Sequence, residues 1–299
     1  MAHVPWLWAA LTIIAAAGQT ARNAMQRELV ATLGTIGATH VRFLFGFPFA
    51  LAVLVGVLAF TGMPLPRPAP AFWPWVLAGT VTQILATALM LAAMGRRSFV
   101  VAIAYIKTEP VQVAVFGFLV LGDALTVPMI IAIVIATAGV ITMSLKPRDG
   151  AKADALPALL GLGSGALFAL SAVTYRGGIL SLEGTSFVMA ATFTLTVGLA
   201  MTASLLSLYL ALRDPAVLAA IVKAWRPSLF AGALGALASE FWFLAFAIAT
   251  AASVRTLGLV EVLFAQAIST FVFRQSTSRR EAIGIVLVVI GVVSLIWAR

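Results

Sequence analysis

Of 299 residues, 62% are hydrophobic and 10% are charged, and the mean hydropathy is +1.10. No single soluble core hides so much apolar side chain, so most of this surface must face lipid. The net charge of +9 does not point to nucleic acid, because the basic residues fall mainly in short connectors between apolar runs.

The chain has no cysteine, which excludes a disulfide framework and a thiolate metal site. With only His3 and His40 as imidazoles, no metal and no cofactor are expected. A spanning helix takes about 20 apolar residues plus a connector, so the length suits about ten spans and no extramembrane domain. The run from Val4 to Ala17 has no Lys or Arg before it and reads as a first span rather than a cleaved signal.

In chain order the apolar runs are Pro5 to about Glu28, Leu33–Thr61, Phe72–Gly95, Ser98–Leu121 and Leu125–Leu145. A polar stretch follows, with Pro147, Gly150 and alternating charge, and it divides the chain into residues 1–147, a linker 148–155 and residues 156–299. The second half repeats the pattern with Leu156–Ile179, Thr185–Leu212, Pro227–Thr250, Ala252–Phe273 and Arg279–Trp297. The expected fold is all-α, with ten transmembrane helices.

The halves resemble each other residue by residue. Ser98–Asp123 reads against Thr250–Gln275 at one offset, 261 − 109 = 152, which sets Glu261 on Glu109 and Gln275 on Asp123. Each segment then enters an apolar helix ending Ala138-Gly139-Val140 or Ile290-Gly291-Val292. Five spans is an odd number, so the second half must enter from the opposite face, giving two inverted five-helix repeats. Arg27, Arg96, Arg97, Lys146, Arg148, Lys152, Arg213, Lys223, Arg226, Arg274, Arg279 and Arg280 lie in odd-numbered connectors, against little beyond Arg67 and Arg299 in the even connectors and the termini, which places the odd connectors in the cytoplasm and the termini outside.

Thr108-Glu109-Pro110, followed by an apolar run into Leu121-Gly122-Asp123-Ala124-Leu125-Thr126 and a Gly-bearing helix, resembles the repeat signature of the drug/metabolite transporter superfamily, EamA branch. The second half echoes it in Val260-Glu261-Val262 and Phe273-Arg274-Gln275-Ser276-Thr277-Ser278, with Val262 where proline is expected and Asp123 and Gln275 where glutamate is usual. The resemblance covers essentially the whole chain. It implies a multi-pass inner-membrane exporter with a central cavity formed mainly by the first four helices of each half. The superfamily's cargoes include amino acids, nucleotide sugars, phosphorylated sugars and cationic drugs, and overall likeness is to the bacterial amino-acid exporters, including the aromatic amino-acid subgroup.

Acidic groups at lipid depth need a partner, water or a function. Glu109, Glu240 and Glu261 lie deep in apolar runs. Two readings of the repeat-equivalent Glu109 and Glu261 stay open: one holds a substrate ammonium or a coupling proton, or both merely lock helices together. Val101, Tyr105, Glu109, Gln112 and Phe116 recur at helical spacing on one face of the fourth span, and Pro110 frees a carbonyl there. Lys107 points away from Glu109 within a continuous helix and is expected to snorkel or to face another helix. On the ninth span Val254, Gly258, Glu261 and Ala265 favour close helix contact, so Glu261 reads as structural.

Gln19, Asn23 and Gln26 share one side of the first span and are too polar for lipid. His40 shares a face with Phe43 and Phe47, fit either to stack an apolar cargo or simply to pack. Gln83, Thr87, Met90 and Met94 form a polar-to-soft stripe. Ser239, Glu240, Trp242, Phe243 and Phe246 concentrate on the eighth span, where Trp242 is either a cavity wall or an interfacial belt residue.

These patterns exclude several activities. There is no Gly-rich phosphate loop for an ATP-driven pump, and Thr196-Val197-Gly198 is followed by no Tyr-Gly and lies inside an apolar helix. Ser164 between glycines has no histidine partner nearer than His40, so no enzyme is expected. The reading that remains is secondary export of small zwitterions by alternating access. Amino acids with apolar or aromatic side chains are the favoured cargo, with the lipid bilayer as surroundings and no nucleic-acid partner. Cationic drugs or sugar phosphates are the alternative cargoes, and a non-transporting binding protein is the weaker alternative.

Overall fold

The computed structural model of the chain describes residues 6–96, 105–144, 156–271, 274 and 277–298. Val101, the linker 148–155 and Gln275 lie outside the described residues, as do the side chains of Asn23, Gln26, Met94 and Ala265. Among the described residues the secondary structure is entirely helical. Among the described residues, six apolar runs are long enough to cross a bilayer: Thr32–Thr61, Phe72–Ala93, Ala158–Leu180, Phe187–Arg213, Ser228–Ile248 and Arg279–Trp297. Phe60 at 94%, Leu119 at 70% and Leu159 at 64% exposure are side chains that lipid, not water, accommodates.

The first helix, α1 (Leu7–Leu44), runs through the connector expected after Glu28 and breaks instead at Gly34, whose φ of 66° with ψ of 178° is open essentially to glycine alone. A second break falls at Phe45–Gly46. A Cβ at Gly46 would sit 2.6 Å from the Arg42 carbonyl oxygen, so only glycine fits. Helix α2 (Phe47–Thr61) then starts with Pro48 in its first turn, where the missing N–H costs nothing, and closes at left-handed Gly62.

The chain continues through α3 (Phe72–Arg96), α4 (Glu109–Leu121), α5 (Val127–Ser144), α6 (Leu156–Leu180) and α7 (Phe187–Arg213). After α7 comes a short helix that the charged connector concealed, α8 (Pro215–Lys223). Asp214 caps it by accepting from Val217 N, with Pro215 at its first position. Helix α9 (Trp225–Ile248) follows. The ninth run is not one continuous helix: α10 (Ala251–Leu257) passes through a 3-10 turn, Gly258–Val260, into α11 (Glu261–Phe271). Helix α12 (Arg279–Trp297) closes the chain.

Two compact units cut across the sequence halves. Unit 1 comprises Met1–Ile84 and Thr174–Ala249, and unit 2 comprises Leu85–Val173 and Thr250–Arg299. In unit 1, α1 packs along α9, and α7 packs against α1, α2 and α9. Tyr175 fills the space left by Gly79 and Gly198, where a Cβ would fall 2.9 and 2.8 Å from its ring, and its hydroxyl lies 3.3 Å from Thr80 Oγ1.

In unit 2, α5 packs along α12 and α4 against α10. Here the offset of 152 returns as geometry. Glu109 and Glu261 each open a helix after a break, at the Lys107–Thr108 turn and the 3-10 turn respectively. Gly122 and Arg274 are both left-handed, with φ of 67° and 52°. Thr126 and Ser278 both cap the following helix, Ser278 within a full capping box. A Cβ at Gly139 would meet Val288 N and Gly284 O, while one at Gly291 would meet Ala136 N and Ala132 O, the same contacts with the two halves exchanged.

Candidate functional site

Unit 1 gathers one set of buried polar groups. Where α1 and α9 meet, Gly18 accepts the close approach of Ala238, and one residue on, Trp242 Nε1 donates to Gln19 Oε1 at 3.1 Å. Gln19 is thus satisfied by protein, as its lipid-incompatible position demanded. Trp242 is 5% exposed and stacks on Phe246 with ring centroids 6.2 Å apart, which rules out a belt position. Phe243 sits between Phe246 at 6.4 Å and Tyr175 at 5.0 Å, extending an aromatic wall.

Glu240 and Ser239 are buried on the same helix. Thr192 Oγ1 on α7 donates to Glu240 Oε1 at 2.5 Å, while the buried Oε2 has no hydrogen-bond partner. A carboxylate oxygen left without a donor in a low-dielectric interior is costly, and a cationic or hydrogen-bonding guest would relieve that cost. His40 is fully buried, with Nε2 2.9 Å from Ser207 Oγ, and Phe43 is 2% exposed. The buried Nδ1 of His40 has no hydrogen-bond partner. Gln83, half-buried on α3, also falls in unit 1.

Unit 2 holds the remaining candidates in a different chemical state. Glu109 accepts from Arg255 on α10, and Glu261 pairs with Lys107 in the turn before α4. Each repeat-equivalent carboxylate is therefore neutralised by a cation from the other half. This crossing could not be found from spacing along one helix, though Lys107 does face another helix as the sequence suggests. The expected face of Tyr105, Glu109 and Gln112 is interrupted, because the turn at Lys107–Thr108 separates Tyr105 from α4. Pro110 does not bend a helix midway. It lies in the first turn of α4, where its missing N–H is no loss.

The carbonyl of Ile106, four residues before Pro110, faces Gly165, where a Cβ would lie 3.0 Å away. Gln112 Nε2 donates to Thr108 Oγ1 at 3.3 Å, and its buried Oε1 has no hydrogen-bond partner. Met90 is buried in this unit, and Ser164 donates to the Ala86 carbonyl at 2.8 Å, a structural role.

The sequence reasoning missed the basic side chains. Arg22, 3% exposed, and half-buried Arg42 converge on Gly235 of α9, where a Cβ would lie 3.3 Å from Arg22 Cδ and 3.5 Å from Arg42 Cγ. Arg176 donates from Nε to the Ala249 carbonyl at 2.9 Å, closing the C-terminus of α9. Arg22, Arg42, Arg176 and Arg255 all interrupt apolar runs, so testing basic residues for depth as the acidic ones were tested finds all four.

Apolar runs long enough to span, lipid-facing side chains and polar groups reserved for helix contacts define a polytopic helical membrane protein. Residues 6–145, just under half of the chain, match the model of the EamA-like transporter family. No curated protein matches the chain. A solved crystal structure, 14% identical, aligns over 97% of this chain and 94% of its own with a TM-score of 0.71, so the two share a fold.

Proposed function

We propose that the chain is an EamA-like secondary transporter along its whole length, exporting amino acids with apolar or aromatic side chains across the cell's inner membrane. Its architecture in this reading is ten spans in two inverted five-helix repeats, residues 1–147 and 156–299, with the odd connectors cytoplasmic and alternating access as the mechanism. The repeat rests on the paired features at one offset: the helix-opening glutamates, the left-handed turns, the helix caps and the exchanged glycine contacts.

The cargo reading is carried by Glu240. Its unpartnered oxygen is suited to a substrate ammonium, and Trp242, Phe243, Phe246 and Tyr175 are suited to an apolar or aromatic side chain. Gln19 and Ser239 supply neutral hydrogen-bonding groups along the same helices. In this reading Glu109 and Glu261 hold unit 2 together, and their ion pairs support it.

The test is purified protein in liposomes offered labelled amino acids, cationic drugs and sugar phosphates. Faster entry of phenylalanine or leucine than into empty liposomes, with the other two classes excluded, is the expected result. Entry of a drug or sugar phosphate with no amino-acid flux overturns the cargo reading. No flux of any class overturns transport itself.

A further inference from the structure

We propose that α8 lies in the membrane–water interface and that Arg213, Lys223 and Arg226, at its two ends, hold the headgroups of anionic phospholipids. With nine residues α8 is about 13 Å long, less than half of a hydrocarbon core of about 30 Å, so it does not span. Nor does it prolong α7. Asp214, with φ of −154° and ψ of 72°, is at once the closing cap of α7 and the opening cap of α8, so the helix is broken at a single residue. Packing settles the inner face of α8. Val217 and Ile221, one turn apart, meet α1 at Gly37, where a Cβ would fall 3.0 Å from Val217 Cγ1, and Ile221 is fully buried.

The outer face is what calls for a lipid. Between residues 205 and 230 the chain carries three cations, Arg213, Lys223 and Arg226, and one acid, Asp214, which is occupied in capping α8. All three cations are exposed, and so are Leu212, Val222 and Trp225 interleaved with them. Water suits such cations and hydrocarbon suits such apolar side chains, but only the headgroup layer suits both within a few residues. Trp225 has the amphipathic ring that settles at that level, and Arg226 Cζ lies 5.4 Å from its centre, which holds the guanidinium beside the indole. An excess of positive charge favours an anionic headgroup over a zwitterionic one, and the arginine fork meets a phosphate with two parallel hydrogen bonds.

The test places purified full-length protein in phosphatidylcholine bilayers and measures how strongly spin-labelled phosphatidylglycerol and spin-labelled phosphatidylcholine are held at its surface. A basic residue at an anionic surface contributes about fivefold, so wild type should prefer phosphatidylglycerol by about fivefold or more. The triple variant Arg213→Gln, Lys223→Gln, Arg226→Gln should lose that preference, whereas Arg67→Gln, in the connector after α2, should keep it. Raising salt from about 0.1 M to about 1 M shortens the screening length from about 10 Å to about 3 Å and should shrink the wild-type preference, a measurement that needs no substitution. Equal retention of the two lipids by wild type, or a preference that salt leaves unchanged, overturns the inference. So does a preference that survives the triple variant or that falls as far in Arg67→Gln. Loss of the preference on adding millimolar inorganic phosphate at constant ionic strength would mean a site for free phosphate and would overturn the lipid as its partner. The readout is lipid retention, so a failed flux assay leaves this inference standing and a failed lipid assay leaves the cargo reading standing.

Discussion

The two compact units handle buried charge in opposite ways. In unit 2 each deep carboxylate meets a cation from the other half of the sequence, and the helices around them close on glycines. In unit 1 Glu240 keeps one oxygen without a hydrogen-bond partner. Neutralised charge beside tight backbone contact is how a bundle is held. A buried carboxylate oxygen without a donor has hydrogen-bonding capacity that a guest could use. In the proposed reading, the paired charges of unit 2 are architecture and the unpartnered oxygen of Glu240 serves the cargo.

Breaking the unit 2 pairs should have the largest effect. Replacing Glu109 by Ala removes the carboxylate that faces Arg255, whose side chain is 13% exposed, and removing one partner of a buried pair costs about 3–5 kcal/mol. Thermal unfolding in detergent should show that loss, and Arg255→Ala should match it. The double substitution should cost less than the two single losses added together. Full additivity would mean that the two residues do not stabilise each other.

In unit 1 the carboxylate should matter to cargo and hardly to the fold. Glu240→Gln keeps the shape and leaves Thr192 a partner, so the melting temperature should stay near wild type. Phenylalanine flux should fall by about tenfold or more, since a hydrogen bond to a charged group contributes about 1.5–3 kcal/mol. A variant that melts early with flux preserved per folded molecule would put Glu240 with the structural acids and erase the contrast between the units.

The exchanged glycine contacts sharpen the comparison from the other side. A methyl group at Gly291 would fall 2.5 Å from Ala136 N, and one at Gly139 would fall 2.7 Å from Val288 N, both backbone atoms that cannot swing aside. Gly291→Ala and Gly139→Ala should each cost about 1–3 kcal/mol, as overpacking does, and by similar amounts because the contacts are the same with the halves exchanged. Losses differing by more than about 2 kcal/mol would deny that the α5–α12 seam is symmetric in energy as well as in contacts.

What could be read from sequence divides along the same line. Apolar length and caps are local, so α12 begins at Arg279 and ends at Trp297 as read, and α3 and α6 fall within a residue of their runs. The shared offset is legible because Glu109 and Glu261 recur at the same spacing as Gly139 and Gly291. The partners of those glutamates are not, because Arg255 and Lys107 lie on facing elements and helical spacing says nothing about a neighbour. The break before Glu109 escapes a reading of Pro110 as a kink within a helix, whereas a proline in the first turn marks a start; before Glu261 no proline marks the break, because Val262 stands there. Helix α8 hides in the sequence because Asp214-Pro215 follows an apolar run as a charged connector would, although the same two residues make a helix cap.

The smallest expected effect is a gain, and it tests the repeat at its weakest match. Arg274 stands where the first half has Gly122, and both adopt the left-handed conformation, which costs a residue with a Cβ about 1–2 kcal/mol that glycine avoids. Glycine also loses more backbone freedom on folding, so Arg274→Gly should raise stability by only about 0.5–1 kcal/mol. Because Arg274 is exposed and carries none of the contacts argued for cargo, amino-acid flux through Arg274→Gly should equal wild type. A loss of stability would mean that the arginine side chain makes a contact worth more than its backbone strain, so that this turn had departed from its counterpart in function as well as in sequence.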